Sequence, residues 1–162
     1  MENSFYIQSD GVIVMVMRDQ KGSYQTLASK SDDRGETWRT TYVTNMPDSR
    51  SKQAAGNLPD GTVFLINNPG RVLNNETLPW RIPLTITLSK DGFLFTKSYL
   101  LRSGEKGDFR ERKYEGKYKT LGYSYPKAFI FEEYLYVSYS TNKDDAEYTK
   151  IPIKEISLND KN

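Results

Sequence analysis

The 162-residue chain contains neither cysteine nor histidine. Without cysteine it can form no disulfide, thiolate nucleophile or zinc–thiolate site. Without histidine it has no Ser-His-Asp triad, no imidazole metal ligand and no histidine general base. Any chemistry must therefore use carboxylates, Tyr, Lys, Arg, Ser or Thr, and the sequence implies neither a cofactor nor a metal.

Long apolar runs and a charge excess of one sign are also missing. No apolar stretch reaches the roughly 18 residues that span a bilayer, and the first residues lead into a strand pattern instead of a signal peptide. Basic and acidic residues number 23 and 21 and are interleaved, for a net charge of +2. We expect neither nucleic acid nor a membrane as a partner, and the sequence does not indicate the cellular compartment.

Short strand patterns separated by turns that contain Gly and Asp fill the sequence. Aromatic residues, with 12 Tyr, 7 Phe and 2 Trp, suit half-buried strands. The patterns fall into about three groups, at approximately 1–50, 51–105 and 120–158, and a charged, glycine-punctuated loop over 102–119 precedes the last group. The sequence therefore predicts an all-β fold with almost no helix.

One turn motif stands out: residues 31–38 read Ser-Asp-Asp-Arg-Gly-Glu-Thr-Trp, the pattern S-x-D-x-G-x-T-W. Asp33 can accept backbone N–H groups, Gly35 can adopt a positive φ, and Trp38 anchors the next strand. A degraded copy occupies residues 89–95, and two such copies suggest a blade-sized repeat. The alternative is a pair of ordinary Asp/Gly hairpins.

The motif at 31–38 resembles the Asp box of the sialidase (neuraminidase) superfamily, whose β-propellers carry BNR repeats. Other stretches resemble the same family in the same order; they are 10–18, 58–61, 68–69, 81–84, 122–126 and 135–140. The resemblance extends over nearly the whole chain but only to the C-terminal half of such a protein. It implies an all-β, sialidase-type β-propeller present as about three four-stranded blades, half of a six-bladed ring.

Three blades leave two ends of an incomplete ring exposed, with unpaired strand edges that favour association. We therefore expect these ends to be covered by the missing N-terminal half or by a second copy of the chain.

The resemblance also implies four functional residues. Glu2 precedes Arg18 by 16 residues, as the catalytic Glu of sialidases precedes an Arg. Arg81 matches a further Arg that follows an Asn-Pro pair, and Tyr123 matches the nucleophilic Tyr of a Tyr-Ser pair. In the family the Glu activates the Tyr, and the two arginines bind the substrate carboxylate.

The chemistry of sialic acid explains these residue types. Its anomeric carbon bears a carboxylate that would repel an anionic nucleophile, so sialidases use a tyrosine activated by a glutamate. A planar guanidinium can bond both oxygens of a carboxylate. The expected function is thus the C-terminal half of a retaining exo-glycoside hydrolase that removes terminal sialic acid or a related acidic sugar from glycans.

The expected active site is incomplete, because the family's acid/base Asp and first carboxylate-binding Arg belong to the N-terminal half. The alternative function is a non-catalytic carbohydrate-binding or structural propeller fragment. Each residue also has a structural alternative. Glu2 could be a frayed terminus, Arg18 a surface charge and Arg81 a stacked structural arginine. Tyr123 could be a core residue that leaves Tyr125 as the exposed ring.

Overall fold

The computed structural model describes residues 2–70, 81–105, 107 and 110–158. Its described elements are eleven strands and a short 3₁₀ turn at Ile153–Glu155. None of the described helices is long and apolar enough to cross a membrane. The strands are β1 Asn3–Ile7, β2 Ile13–Arg18, β3 Gln25–Ser31, β4 Tyr42–Pro47, β5 Ala54–Asn57, β6 Val63–Asn67, β7 Leu84–Ser89, β8 Phe95–Arg102, β9 Tyr123–Phe131, β10 Tyr134–Thr141 and β11 Asp145–Pro152.

The strands form three antiparallel sheets in which each strand pairs with its neighbour in sequence. The first sheet has the order β1-β2-β3-β4, the second β5-β6-β7-β8 and the third β11-β10-β9. The predicted all-β fold and its three groups of strands are confirmed, although the third sheet contains three strands instead of four. Consecutive pairing follows from tight turns such as Asp10-Gly11, where Gly11 has a φ of 86° and the Asp10 side chain accepts the Val12 N–H at 3.1 Å.

Both copies of the Asp-containing motif close a turn in the same way. Asp33 accepts the N–H of Thr37 at 2.9 Å and the hydroxyl of Ser31 at 2.7 Å. These hydrogen bonds, those from Thr37 above all, lower the pKa of Asp33 to about 2. In the second copy, Asp91 accepts the Ser89 hydroxyl at 2.9 Å and two backbone N–H groups. The motif therefore stabilises its own turn through hydrogen bonds between residues close in sequence.

The second sheet is the centre of the fold. Alternate residues of β6 divide between two hydrophobic clusters: Val63 and Leu65 pack against the first sheet, and Phe64 and Ile66 against the third. Among the described residues, the first and third sheets are each covered by another sheet on one face. Their other faces expose large apolar side chains. On the first sheet these are Phe5, Ile7 and Val43, and on the third sheet they are Phe129, Phe131 and Tyr148.

A parallel bridge between Arg81 and Gly122 joins the second and third sheets. The Tyr123 N–H donates to the Arg81 carbonyl at 2.9 Å. Gly122 has a φ of 104°, and a Cβ there would lie 2.6 Å from the Arg81 carbonyl oxygen. Glycine is thus required at this junction both by its φ and by the close approach of the two backbones.

Candidate functional site

Arg18 ends β2 and faces the residue that precedes β1. Because Asn3 pairs with Met17, Glu2 lies opposite Arg18, and its carboxylate is 3.1 Å from the Arg18 guanidinium. The Gln20 amide oxygen, oriented towards Arg18, accepts from its Nε at 2.7 Å and its Nη2 at 2.9 Å. The Arg18 side chain is therefore held at one end of the first sheet by a carboxylate and an amide.

Arg81 reaches the same site from the second sheet. Its Nη1 donates to the Ser124 hydroxyl at 2.7 Å, and its guanidinium lies 5.5 Å from the centre of the Tyr125 ring. Burial lowers the pKa of Arg81 and the charge of Arg18 adds to this, whereas Tyr125 and Glu2 act in the opposite direction. Glu2, Arg18 and Arg81 thus interact electrostatically, and their roles in catalysis and substrate binding stay predictions.

Tyr123 lies at this junction, but its ring points into the core. The side chain is 0% exposed and packs edge-to-face on Tyr139, with ring centres 5.6 Å apart. A nucleophile needs a hydroxyl that the substrate can reach, and this placement does not provide one. Of the four residues implied by the resemblance, Tyr123 is the one that the structure does not bring to the shared surface, and its catalytic role stays a prediction.

Tyr125 is the accessible phenol beside the arginines. Its side chain is 40% exposed, and its φ is 54°, which is uncommon for a residue other than glycine. The cause is a β-bulge: Ser138 pairs with Lys127 and Ser140 with Ser124, so two residues oppose one. The bulge turns Tyr125 away from the face of Tyr123. Proline inside a strand often marks such a bulge, and Pro126 was the available signal in the sequence.

A pocket of about 630 Å³ adjoins Arg81. Loops from all three sheets line it, and its long polar and charged side chains are Gln20, Arg50, Arg81, Arg112 and Lys119. Its volume lies in the range of small-molecule sites, and its wall carries four cationic residues. Within the described part of the chain, no group of three acidic residues is placed to hold a metal ion. The arrangement is therefore suited to binding an anion.

The sequence matches the model of the BNR repeat-like domain over residues 1–137, which is most of the chain. The chain belongs to the BNR repeat-like family. A search of curated proteins gives no significant match for this family member.

Solved structures share the fold of this BNR repeat-like chain. An intramolecular trans-sialidase from leech aligns over 95% of the chain with 18% identity and a TM-score of 0.64. The NanB sialidase of Streptococcus pneumoniae aligns over 96% with 19% identity and a TM-score of 0.61. An α-L-arabinofuranosidase of Fusarium graminearum aligns over 93% with 16% identity and a TM-score of 0.57.

These likenesses show a partial sialidase-type propeller. The chain spans 24% of the leech protein and of NanB, and 44% of the arabinofuranosidase. Two of these proteins are named for sialic acid and the third for arabinofuranose, so the fold alone does not select a substrate.

Proposed function

We propose that this chain forms the carboxylate-binding part of a sialidase-like exo-glycoside hydrolase, with terminal sialic acid or a related acidic sugar as its substrate. The observation that carries the proposal is a cluster of arginines beside one carboxylate. Arg18 pairs with Glu2 at 3.1 Å and donates to the Arg50 carbonyl at 3.5 Å, and Arg50 and Arg81 line the same pocket. Two partly buried guanidinium groups repel each other, and an incoming carboxylate relieves that repulsion while accepting their N–H donors.

A neutral form of the ligand tests this directly. We expect N-acetylneuraminic acid to bind and its methyl ester, which lacks the negative charge, to bind about tenfold or more weakly, because charged hydrogen bonds are lost. Arg18→Gln and Arg81→Gln should each remove this preference in calorimetric titrations. Arg39→Gln is the matched control, because Arg39 is 68% exposed and pairs with Asp32 in the Asp-box turn. Equal binding of acid and ester would overturn the proposal.

For the reaction, we propose that a phenol near Arg81 attacks the anomeric carbon. A bond forms from the phenol oxygen to this carbon, the bond to the leaving oxygen breaks, that oxygen takes a proton from water, and the phenol proton passes to a carboxylate such as Glu2. Tyr125 presents its ring at the site, whereas Tyr123 is the residue implied by the family resemblance. General acid help is typically worth about 10²–10⁴ in rate, and no residue of this chain is assigned to it. We therefore expect slow turnover by the chain alone.

Covalent trapping distinguishes the two tyrosines. A fluorinated sialosyl fluoride releases fluoride without a general acid, so the missing acid does not prevent labelling. Trypsin cleavage after Lys119 and Lys127 should release a peptide that contains both tyrosines, and fragment masses then locate the label. A label on Tyr125 supports this tyrosine as the nucleophile, and a label on Tyr123 supports the nucleophile that the family resemblance implies. Binding without any label favours the non-catalytic carbohydrate-binding alternative.

A further inference from the structure

The pocket beside Arg81 contains three more cations, Arg50, Arg112 and Lys119, that the family resemblance does not assign. Lys119 is already neutralised, because it forms an ion pair with the buried carboxylate of Asp144 and donates to the Lys143 carbonyl at 2.6 Å. Its charge is therefore committed to the fold, and the two arginines remain as the cations that could bind a ligand.

Arg112 has only a weak counterion. Its Nη1 lies 3.2 Å from Glu115, whose side chain is 88% exposed, so water screens the pair. Its Nη2 donates to the Lys119 carbonyl at 3.2 Å, which fixes the guanidinium in the pocket wall. The Nε of Arg112 is buried and has no hydrogen-bond partner among the described residues. Arg112 is thus positioned by the backbone but not neutralised.

Arg50 combines a weakly compensated charge with an unusual backbone. Its guanidinium lies 5.1 Å from the centre of the Tyr24 ring. The charge of Arg50 helps to lower the pKa of the nearby Asp19, but among the described residues no carboxylate forms a direct ion pair with it. Its Nε is also buried without a partner in the same part of the chain. Its φ is 55°, a conformation that costs free energy for a side chain of this size and that tends to occur at functional sites. The Arg50 carbonyl also accepts from Arg18 at 3.5 Å, which connects it to the first site.

We propose that Arg50 and Arg112 form a second anion subsite in this pocket. Its ligand is an oxyanion, either a carboxylate or a sulfate ester, on the sugar next to the terminal acidic sugar. This inference rests on the proposed function for the terminal sugar. Both arginines line the pocket and neither has a strong counterion among the described residues, so a bidentate oxyanion would supply the missing negative charge. A pocket of about 630 Å³ also falls in the range for ligands larger than one sugar. The preferred ligand is therefore a glycan with two neighbouring negative charges.

The first test compares two ligands that share a terminal sialic acid. Disialic acid carries a second carboxylate on the adjacent sugar, whereas sialyllactose has a neutral sugar there. We expect disialic acid to bind about tenfold more tightly at low salt, since charged hydrogen bonds are added. Arg50→Gln and Arg112→Gln should remove this preference while leaving the affinity for sialyllactose within about twofold. The control Arg39→Gln should preserve it, and equal affinities in the unmodified chain would overturn the subsite.

The second test does not depend on the first site. Inorganic sulfate is titrated into the isotopically labelled chain, and the Nε–H signals of the arginines are followed by NMR. We expect saturable shifts at Arg50 and Arg112 that persist in Arg18→Gln. Shifts confined to Arg18 and Arg81 would overturn the subsite but not the proposed function. If the unmodified chain binds the acid and the ester equally well but sulfate still shifts the Arg50 and Arg112 signals, the proposed function is overturned. The pocket is then a general oxyanion site.

Discussion

A buried carboxyl group beside the pocket should weaken the fold at neutral pH. Asp48 follows β4, is 1% exposed, and both its carboxylate oxygens lack a hydrogen bond of normal geometry within the described residues. Burial raises its pKa from 3.8 to about 6, although the Gln53 amide and the N–H groups of residues 49–51 favour the ionised form. Ionising Asp48 in the folded chain therefore costs free energy.

The sign and size of the effect follow from the two pKa values. The folded chain holds the proton more tightly than the unfolded chain, so the stabilisation is complete below about pH 4 and is lost as the pH rises through about 6. A raise of about two pKa units corresponds to about 3 kcal/mol. Asp48→Asn removes the ionisation, so it should increase the free energy of unfolding by up to about 3 kcal/mol above pH 7 and by little near pH 4.

Urea unfolding, followed by tryptophan fluorescence across this pH range, measures the difference. Asp10→Asn is the control, because Asp10 is an exposed turn residue whose hydrogen bond to Val12 an amide can keep; we expect a change within about 0.5 kcal/mol. Equal stability of Asp48→Asn and the unmodified chain at neutral pH would show that ionised Asp48 does not destabilise the fold. A gain that does not shrink on acidification would do the same, because it could not come from ionisation.

Three further predictions concern packing and association. Gly122→Ala should destabilise the chain by several kcal/mol, because its Cβ would meet the Arg81 carbonyl. Gly61→Ala is the control, because its Cβ would have open space and should cost only about 1–2 kcal/mol of backbone strain. The denaturant midpoints of the two variants measure the difference. Tyr123→Ala should lower the free energy of unfolding by about 3–5 kcal/mol, because the side chain is buried. Tyr125→Ala should change the stability little but weaken sialic acid binding. Denaturant unfolding measures the first effect and calorimetric titration the second. The exposed apolar faces of the first and third sheets should cause self-association at micromolar concentration, and light scattering that finds only monomer would contradict this.

Much of the fold could be predicted because its determinants are local. The Asp33 and Asp91 turns depend on side chains that bond backbone groups within a few residues, so the motif itself predicts the turn. The grouping of strands followed from such turns. The third sheet has three described strands where the family resemblance implies four, and no local signal sets this number, because pairing at an open edge depends on what else the sheet can bind.

The candidate site was only partly predictable. A shared role of Arg18 and Arg81 is implied by the family resemblance alone, since no local pattern relates residues in different sheets. Strand periodicity places Tyr123 and Tyr125 on one face, and the bulge at Pro126 separates them. The pocket cations Arg50 and Arg112 lie on loops, where no periodic pattern indicates which side chains converge.

The most direct test of the central claim is a crystal structure of the chain soaked with N-acetylneuraminic acid. We expect the sugar carboxylate to lie between Arg18 and Arg81, with its oxygens about 2.7–2.9 Å from both guanidinium groups. A sugar bound elsewhere, or bound here with its carboxylate in solvent, would contradict the assignment of these two arginines.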